Sequence, residues 1–364
     1  MIDAHMHFWR LDRGDYPWPT AELPALFRDF LPPDAAAMVS GSGVTGVIAV
    51  QAAETEAETE FLCDLARQHS WVRGVVGWTD LAAPDAADRV AALARRCGNA
   101  LLGLRPMLQD MADRDWIAGA AIDAGIDAMI ASDLALDALV RVDQFAPLVR
   151  RAERSPDLRI VIDHAGKPDI AGDGHAAWAS AIAPLAAMPH VHCKLSGLLT
   201  EAGGRPAEVL EPYIATLIDL FGPDRLIWGS DYPVLLLAGD YGSWLGQARR
   251  LAPYPQIFGA NAARFYRLDM RERLLLLSAD DNVAVALADL TAGEPVPGGA
   301  ALIEPAPFGF KVAVRAIPAG AKVMKYGTPI GSATRDIAPG ETVHLHNMQS
   351  DYTRSHTREM EQEA

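Results

Sequence analysis

The run Ile2-Asp3-Ala4-His5-Met6-His7-Phe8 decides the fold. It favours β-structure, and because successive side chains of a strand point to opposite faces, His5 and His7 share a face at its end. Seven further runs follow: Val44 to Ala52, Val72 to Leu81, Ala100 to Met107, Gly125 to Ala131, Leu158 to Ala165, Val191 to Leu198 and Arg225 to Pro233. Helix-like segments lie between them. Glu54 to His69 carries an apolar stripe of Phe61, Leu62, Leu65 and Ala66, and Ala86 to Cys97 is closed by Gly98-Asn99. The fifth run is rich in Ala and Met, which suit a helix equally well. Eight alternations predict an α/β chain folded as a closed (β/α)8 TIM barrel. No G-x-G-x-x-G or Walker loop follows any strand, so no nucleotide cradle is expected.

After Gly259-Ala260-Asn261-Ala262-Ala263-Arg264-Phe265-Tyr266 the alternation stops, and short strands punctuated by Pro295, Pro297, Gly298, Gly299, Pro318, Gly320, Pro339 and Gly340 begin. The expected organisation is a barrel over residues 1–269, a small all-β module over 270–350, and a polar tail over 351–364 that frays. Half the residues are hydrophobic, with a mean hydropathy of +0.06. A net charge of −15 without any basic run excludes nucleic acid and anionic membrane surfaces as partners. Cys63, Cys97 and Cys193 show no metal or disulfide spacing and read as buried thiols. With neither a basic, apolar leader nor a run of about 20 apolar residues, the expected location is cytoplasmic.

Functional side chains of such barrels gather where strands end and βα loops begin. Here those ends carry His5 and His7, Gln51, Trp78 and Asp80, Arg105, His164 with Lys167 beyond it, Lys194 and Asp231. Strand parity puts Ile160, Ile162 and His164 on one face, and Gly229 and Asp231 on another. A lone histidine is more often structural, which is the reading for His69, His175 and His190. The aromatics Phe8, Trp9, Tyr16 and Trp18 follow the first strand, placed either to stack on a sugar face or to pack a long loop.

The His-x-His start, Ile162-Asp163-His164-Ala165-Gly166-Lys167-Pro168, Cys193-Lys194-Leu195-Ser196-Gly197-Leu198, Gly229-Ser230-Asp231-Tyr232-Pro233 and the closing Gly-Ala-Asn-Ala-Ala-Arg-Phe-Tyr together resemble the amidohydrolase-related family. Within it, the chain is similar to the sugar-lactonase branch of fuconolactonase- and rhamnonolactonase-like enzymes. The resemblance implies hydrolysis of an aldono-1,4- or 1,5-lactone. Asp231 is then the general base, and His5, His7 and His164 either join it in ligating one divalent ion or donate hydrogen bonds to the carbonyl oxygen. Arg105, Lys194, Lys167, Gln51 and Trp78 would bind substrate, although internal ion pairing with Asp80, Asp163 or Asp169 competes for the three cations. Strand four ends in Arg105 rather than a bridging Lys or Glu and strand five offers no histidine, so two metals are disfavoured. No metal or one divalent ion, zinc or manganese, remains. The alternatives are a decarboxylase or aromatic-pathway lactonase on the same barrel, or a non-catalytic subunit.

Further on, Ser278-Ala279-Asp280-Asp281-Asn282-Val283, Val323-Met324-Lys325-Tyr326-Gly327-Thr328-Pro329-Ile330-Gly331 and Val343-His344-Leu345-His346-Asn347 resemble the SAF-type small subunit of altronate dehydratase, and Met270 looks like a former start codon. Such dehydratases use iron, and His344 and His346, read as one face of a strand, form a weak candidate ligand pair. The large dehydratase part has no counterpart here. The resemblance therefore implies the large subunit of a sugar-acid dehydratase as a partner, bringing the iron with it, and leaves oligomerisation open.

Overall fold

The computed structural model describes residues 1–268, 273–276, 278, 280–294 and 296–351. The chain divides into two compact units, Met1–Leu268 and Asp269–Ala364. Met270 and the tail beyond Asp351 lie outside the described residues.

In the first unit eight parallel strands lie in sequence order: β1 (Ile2–Met6), β2 (Gly46–Val50), β3 (Val72–Gly77), β4 (Leu101–Leu104), β5 (Ala135–Ala138), β6 (Ile160–Ile162), β7 (Val191–Leu195) and β8 (Leu226–Trp228). The sheet closes at the strands' C-terminal ends, where Met6 bridges Tyr232, the His7 N–H donates to the Tyr232 carbonyl (2.7 Å) and the Asp231 N–H to that of His5 (2.8 Å). The expected TIM barrel is thus present.

One strand was misplaced by sequence. Gly125 to Ala131 lies in a helix, Asp123–Ala131, and the fifth strand is the four-residue Ala-Leu-Asp-Ala segment after it. That strand holds two alanines and a carboxylate, poor β-formers, and is stabilised by neighbours on both sides rather than by propensity.

The strands alternate between two apolar environments. Val47, Ala49, Val75, Leu136, Ile160, Ile162, Val191, Cys193, Leu195 and Trp228 belong to the larger core shared with the helices. Ile48, Val50, Val76, Leu102, Ala135, Val161 and Ile227 face inward, where Phe265, Tyr266 and Leu268 from the end of the unit join them. A register irregularity in β1 between Asp3 and Met6 lets both Ala4 and His5 serve the interior. The three cysteines are free and buried, as expected.

Helix Glu56–Gln68 starts two residues inside the anticipated segment because Thr55 caps it, its side chain accepting the Glu58 N–H. Helix Ala86–Cys97 matches its expected bounds. No described helix is long and apolar enough to cross a membrane.

The second unit is built from two small antiparallel sheets. One pairs β9 (Leu274–Leu275), β10 (Val283–Ala286), β11 (Lys311–Ala313) and β14 (Thr342–Val343), and the other β12 (Lys322–Lys325), β13 (Thr328–Ala333) and β15 (Met348–Gln349). Alternate residues of β10 enter different cores: Ala284 and Ala286 pack with Leu274 and Val312, Val283 with Val323 and Val343. Gly340 holds a turn at φ 85° where a Cβ would meet the Ala301 carbonyl oxygen at 2.0 Å, so no other residue fits.

Candidate active site at the barrel mouth

The ends of seven strands, all but β3, deliver a buried polar cluster. His5 and His7 come from β1 and its continuation, as parity predicted, but His164 and Asp231 arrive differently. Ile160 and Ile162 face the helices, and His164 is swung inward because it and Ala165 take left-handed conformations (φ 52° and 54°) directly after β6. Asp231 also sits at φ 61°. Such conformations cost about 1–3 kcal/mol each in a non-glycine residue and are held only where the surroundings over-determine them. The expected face shared by Ile160, Ile162 and His164 is therefore corrected. Asp163, rather than His164, follows the inward parity of Val161.

The hydrogen-bond partners of each ring constrain its chemistry. His7 Nδ1 lies 2.8 Å from the Val50 carbonyl oxygen, an acceptor only, so Nδ1 carries the proton. Its Nε2 lone pair then faces Asp231 Oδ1 at 3.3 Å. Two acceptors in a buried site repel unless a cation or a proton lies between them. His164 Nδ1 contacts Ser196 Oγ at 2.9 Å, leaving Nε2 turned toward Asp231 at 3.9 Å.

His5 has two settings. Either Nδ1 accepts from Lys194 Nζ (3.1 Å) and Nε2 becomes a donor, or Nδ1–H faces Asp163 Oδ1 (3.5 Å) and the Nε2 lone pair is left to accept from Arg105 Nη1 (3.4 Å) or to ligate an ion. Ligand atoms of His5, His7 and Asp231 lie within 4.8 Å of one another, as do those of His5, Asp163 and His164. The residues present thus fit one divalent ion.

Burial pushes His164 down to about 4 and His5 well below its usual value, the latter helped by Lys194, so both rings are neutral near pH 7. Burial also acts to raise Asp231, but the imidazoles of His164, His7 and His5 outweigh it and hold the carboxyl below its ordinary range.

Beneath this cluster lies an ion network in which pairing of the cations with Asp163 was the alternative the sequence offered, while Asp137 was not foreseen. Lys194, fully buried, pairs with Asp137 Oδ2 at 2.5 Å and Asp163 Oδ1 at 3.0 Å, and the Tyr266 hydroxyl donates to Asp137 Oδ2 at 2.8 Å. Burial pushes the Asp137 carboxyl up to about 6 against the pull of Lys194. Burial also acts to raise Asp163, but Lys194, His5 and Arg105 together hold it well below its usual range. Lys194 thus sits as a counter-ion beside His5, the ion-pair alternative to a substrate-binding role.

Arg105 contacts Asp163 Oδ2 at 3.3 Å and donates to the Gln51 carbonyl, while Gln51 Nε2 donates to the Arg105 carbonyl at 2.8 Å. Among the described residues each keeps one buried atom without a protein partner, Arg105 Nε and Gln51 Oε1. Lys167 pairs instead with Glu201 at 3.5 Å, the ion-pair alternative with an unforeseen partner. Trp78 is half-buried, its backbone held by the Thr59 hydroxyl (2.8 and 3.1 Å). Phe8 and Trp9 are core residues, Trp9 packing against Phe30 and Trp18, so packing accounts for them.

Two further carboxylates brace the site. Asp3 Oδ1 accepts the N–H groups of His5 (3.1 Å) and Ser230 (2.9 Å) and Oδ2 the Tyr241 hydroxyl (3.0 Å), stapling β1 to the loop that carries Asp231. Glu58 takes the N–H groups of Ala52 (3.0 Å) and Ala53 (2.7 Å) immediately after Gln51. The only signal for either was a carboxylate next to a site residue or in a helix's first turn.

Gly197 (φ 65°) has no room for a side chain, because a Cβ would lie 2.6 Å from His164 Nδ1. Gly197→Ala is expected to lower kcat/KM on the enzyme's substrate by about 100-fold, the scale of a misplacement near 1 Å. Gly222→Ala, at φ 68° with nothing within 4 Å, should share the backbone penalty but keep full activity. Equal activities for the two variants would refute the steric link to His164.

In the second unit, His344 and His346 are not on a strand. They are exposed in the turn after β14, with His344 stacked on Phe310 at 5.3 Å, while Asn347 is buried and spends its side chain on the His344 N–H and the Thr342 carbonyl. The turn removes the shared strand face on which the ligand pair was based.

Comparison with known proteins agrees with both halves. The family model described as amidohydrolase matches residues 2–268, and that of the altronate/galactarate dehydratase SAF domain matches residues 272–351. An L-fucono-1,5-lactonase of Burkholderia ambifaria is 48% identical over 279 residues, covering 74% of this chain and 96% of that protein. The crystal structure of a Burkholderia multivorans amidohydrolase with bound zinc superposes with a TM-score of 0.68 at 39% identity, over 73% of this chain and 98% of that one. The altronate dehydratase of Escherichia coli is 46% identical over 78 residues, 21% of this chain and only 16% of that protein. With the barrel, its mouth and these likenesses in agreement, the chain belongs to the amidohydrolase family and carries a SAF domain of the altronate/galactarate dehydratase type behind its barrel.

Proposed function

We propose that the barrel hydrolyses the ring ester of a sugar lactone, an aldono-1,4- or 1,5-lactone, to the aldonic acid. The observation that carries this reading is the facing pair of acceptors, His7 Nε2 and Asp231 Oδ1 at 3.3 Å, at the mouth of a barrel similar to an L-fucono-1,5-lactonase.

In the reaction a water oxygen bonds to the lactone carbonyl carbon, the carbonyl oxygen takes up charge, and the ring C–O bond breaks. Asp231 accepts the proton of the attacking water and returns it to the departing alkoxide. Arg105 Nε–H and Gln51 Oε1, which lack a partner among the described residues, would serve the substrate, the first donating to a lactone oxygen and the second accepting from a sugar hydroxyl. In its donor setting, His5 adds a second N–H to the oxyanion. A carboxyl held as low as that of Asp231 is a weak base toward bulk water. A divalent ion held by His7, Asp231 and His5, zinc or manganese, would supply Lewis acidity and bring the pKa of water toward about 7.

Proton release from L-fucono-1,5-lactone and a panel of aldonolactones tests the reading, and rates no faster than spontaneous opening for every lactone would reject it. Chelation is expected to lower kcat/KM about 100-fold or more, with recovery on adding zinc or manganese. Full activity in metal-free protein would leave Arg105 and the ring donors to stabilise the oxyanion.

For the second unit we infer service to a sugar-acid dehydratase whose large subunit is a separate chain and brings the iron. The match to 16% of the E. coli enzyme supports this, and the chemistry is consecutive, since a lactonase releases the aldonate that a dehydratase consumes. The full chain is expected to co-purify with such a subunit and raise its dehydration rate. Failure of both sinks the pairing.

A further inference from the structure

The barrel's other end, where strands begin, holds a cleft of about 510 Å³ lined by Arg159, His190, His192, Arg225, Arg264 and Arg267. These residues precede β6, open β7 and β8, or belong to the closing segment around helix Ala260–Phe265. Four guanidiniums therefore gather around one cleft of a protein whose net charge is −15. Asp224 in the cleft wall and Asp133, which binds both Arg159 (3.0 Å) and Arg267, supply two negative charges against four positive ones.

The four arginines do different work. Arg225 is spent on the carbonyls of Phe221, Met188 and Val191, and Arg159 on those of Phe265 and Asp133, so these two brace the strand starts and add charge rather than free donors. Arg264 uses Nη2 on the Asp224 carbonyl (3.2 Å) and Asn261 Oδ1 (2.7 Å), and Arg267 uses Nη1 on Asp133. Among the described residues, Nε and Nη1 of Arg264 and Nε and Nη2 of Arg267 therefore have no protein acceptor. His190 Nε2 and His192 Nδ1 are buried and also lack hydrogen-bond partners. Buried polar atoms are normally satisfied, so two orphans in one cationic cleft indicate an absent partner. The Phe265 ring, 4.7 Å from that of His192, supplies an apolar wall. Burial together with Arg225, Arg264 and Arg159 pushes His192 down to about 4, consistent with a positive field there.

We propose that this cleft binds a small oxyanion, the carboxylate or phosphate group of a soluble metabolite, independently of the reaction at the barrel mouth. Two uncompensated guanidiniums match two negative charges, and the planar forks of Arg264 and Arg267 suit the paired oxygens of either group. The volume falls within the range of small-molecule sites.

The test titrates full-length protein with inorganic phosphate and, separately, with succinate, at constant ionic strength. Calorimetry and the thermal transition are followed together. The expected result is saturable binding of one anion per chain, at least about tenfold weaker in R264Q/R267Q, with lactone turnover unchanged. Affinity in R264K/R267K should be intermediate, since lysine keeps the charge but not the fork. Binding of phosphate alone assigns the site to phosphate esters, and binding of succinate alone to carboxylates. No saturable binding of either anion, or equal binding in wild type and R264Q/R267Q, overturns the proposal.

Discussion

Asp231→Asn is expected to lower kcat/KM on an aldonolactone by about 10³-fold or more, equivalent to about 4 kcal/mol of transition-state stabilisation. The amide keeps the size of the carboxylate but has no charge and cannot take a proton from water. It also faces the same three rings, at 3.3 Å from His7, 3.7 Å from His5 and 3.9 Å from His164. Its NH2 can donate to the His7 Nε2 lone pair, which relieves the opposition of two acceptors and should leave the fold intact. Activity is read by proton release, and metal content by elemental analysis of the same preparation. Loss of activity with metal retained marks the base role, whereas loss of both marks a ligand role as well. Full activity in the variant would remove Asp231 from the mechanism.

The second large effect concerns stability. Lys194→Met should destabilise the barrel by about 3–5 kcal/mol, because it leaves Asp137 and Asp163 buried without their shared counter-ion. For a unit of this size that corresponds to a fall in Tm on the order of 10 °C. All eight tryptophans precede residue 269, so tryptophan fluorescence follows the first unit without contribution from the second. Adding Asp137→Asn should restore part of the loss, since the remaining carboxylate still has Arg105 at 3.3 Å. A Tm within 1–2 °C of wild type for Lys194→Met would mean that the network is neutralised by protonation rather than by the ammonium.

Much of the site was legible. The His-x-His run placed two rings together because strand parity is a local rule, and Asp231 was found because polar residues at barrel strand ends converge. Arg105, Gln51 and Lys194 were correctly placed in the site region, but two of them hold each other and the third holds carboxylates. Asp137 was missed with its strand: in Ala135-Leu136-Asp137-Ala138 the carboxylate sits where a strand pattern expects an apolar residue, and partners distant along the chain, Lys194 57 residues away and Tyr266, make that position tolerable.

Sequence by itself determined the eightfold alternation, the change of style near residue 270 and the identity of the polar residues at the strand ends, because each follows from short-range periodicity or motif. The tertiary structure alone decided where the fifth strand lies, that His164 and Asp231 enter through left-handed backbone, and that Lys194 serves a buried network. Those features depend on charges brought together from distant strands and on packing strong enough to hold strained backbone, neither of which leaves a periodic trace along the chain.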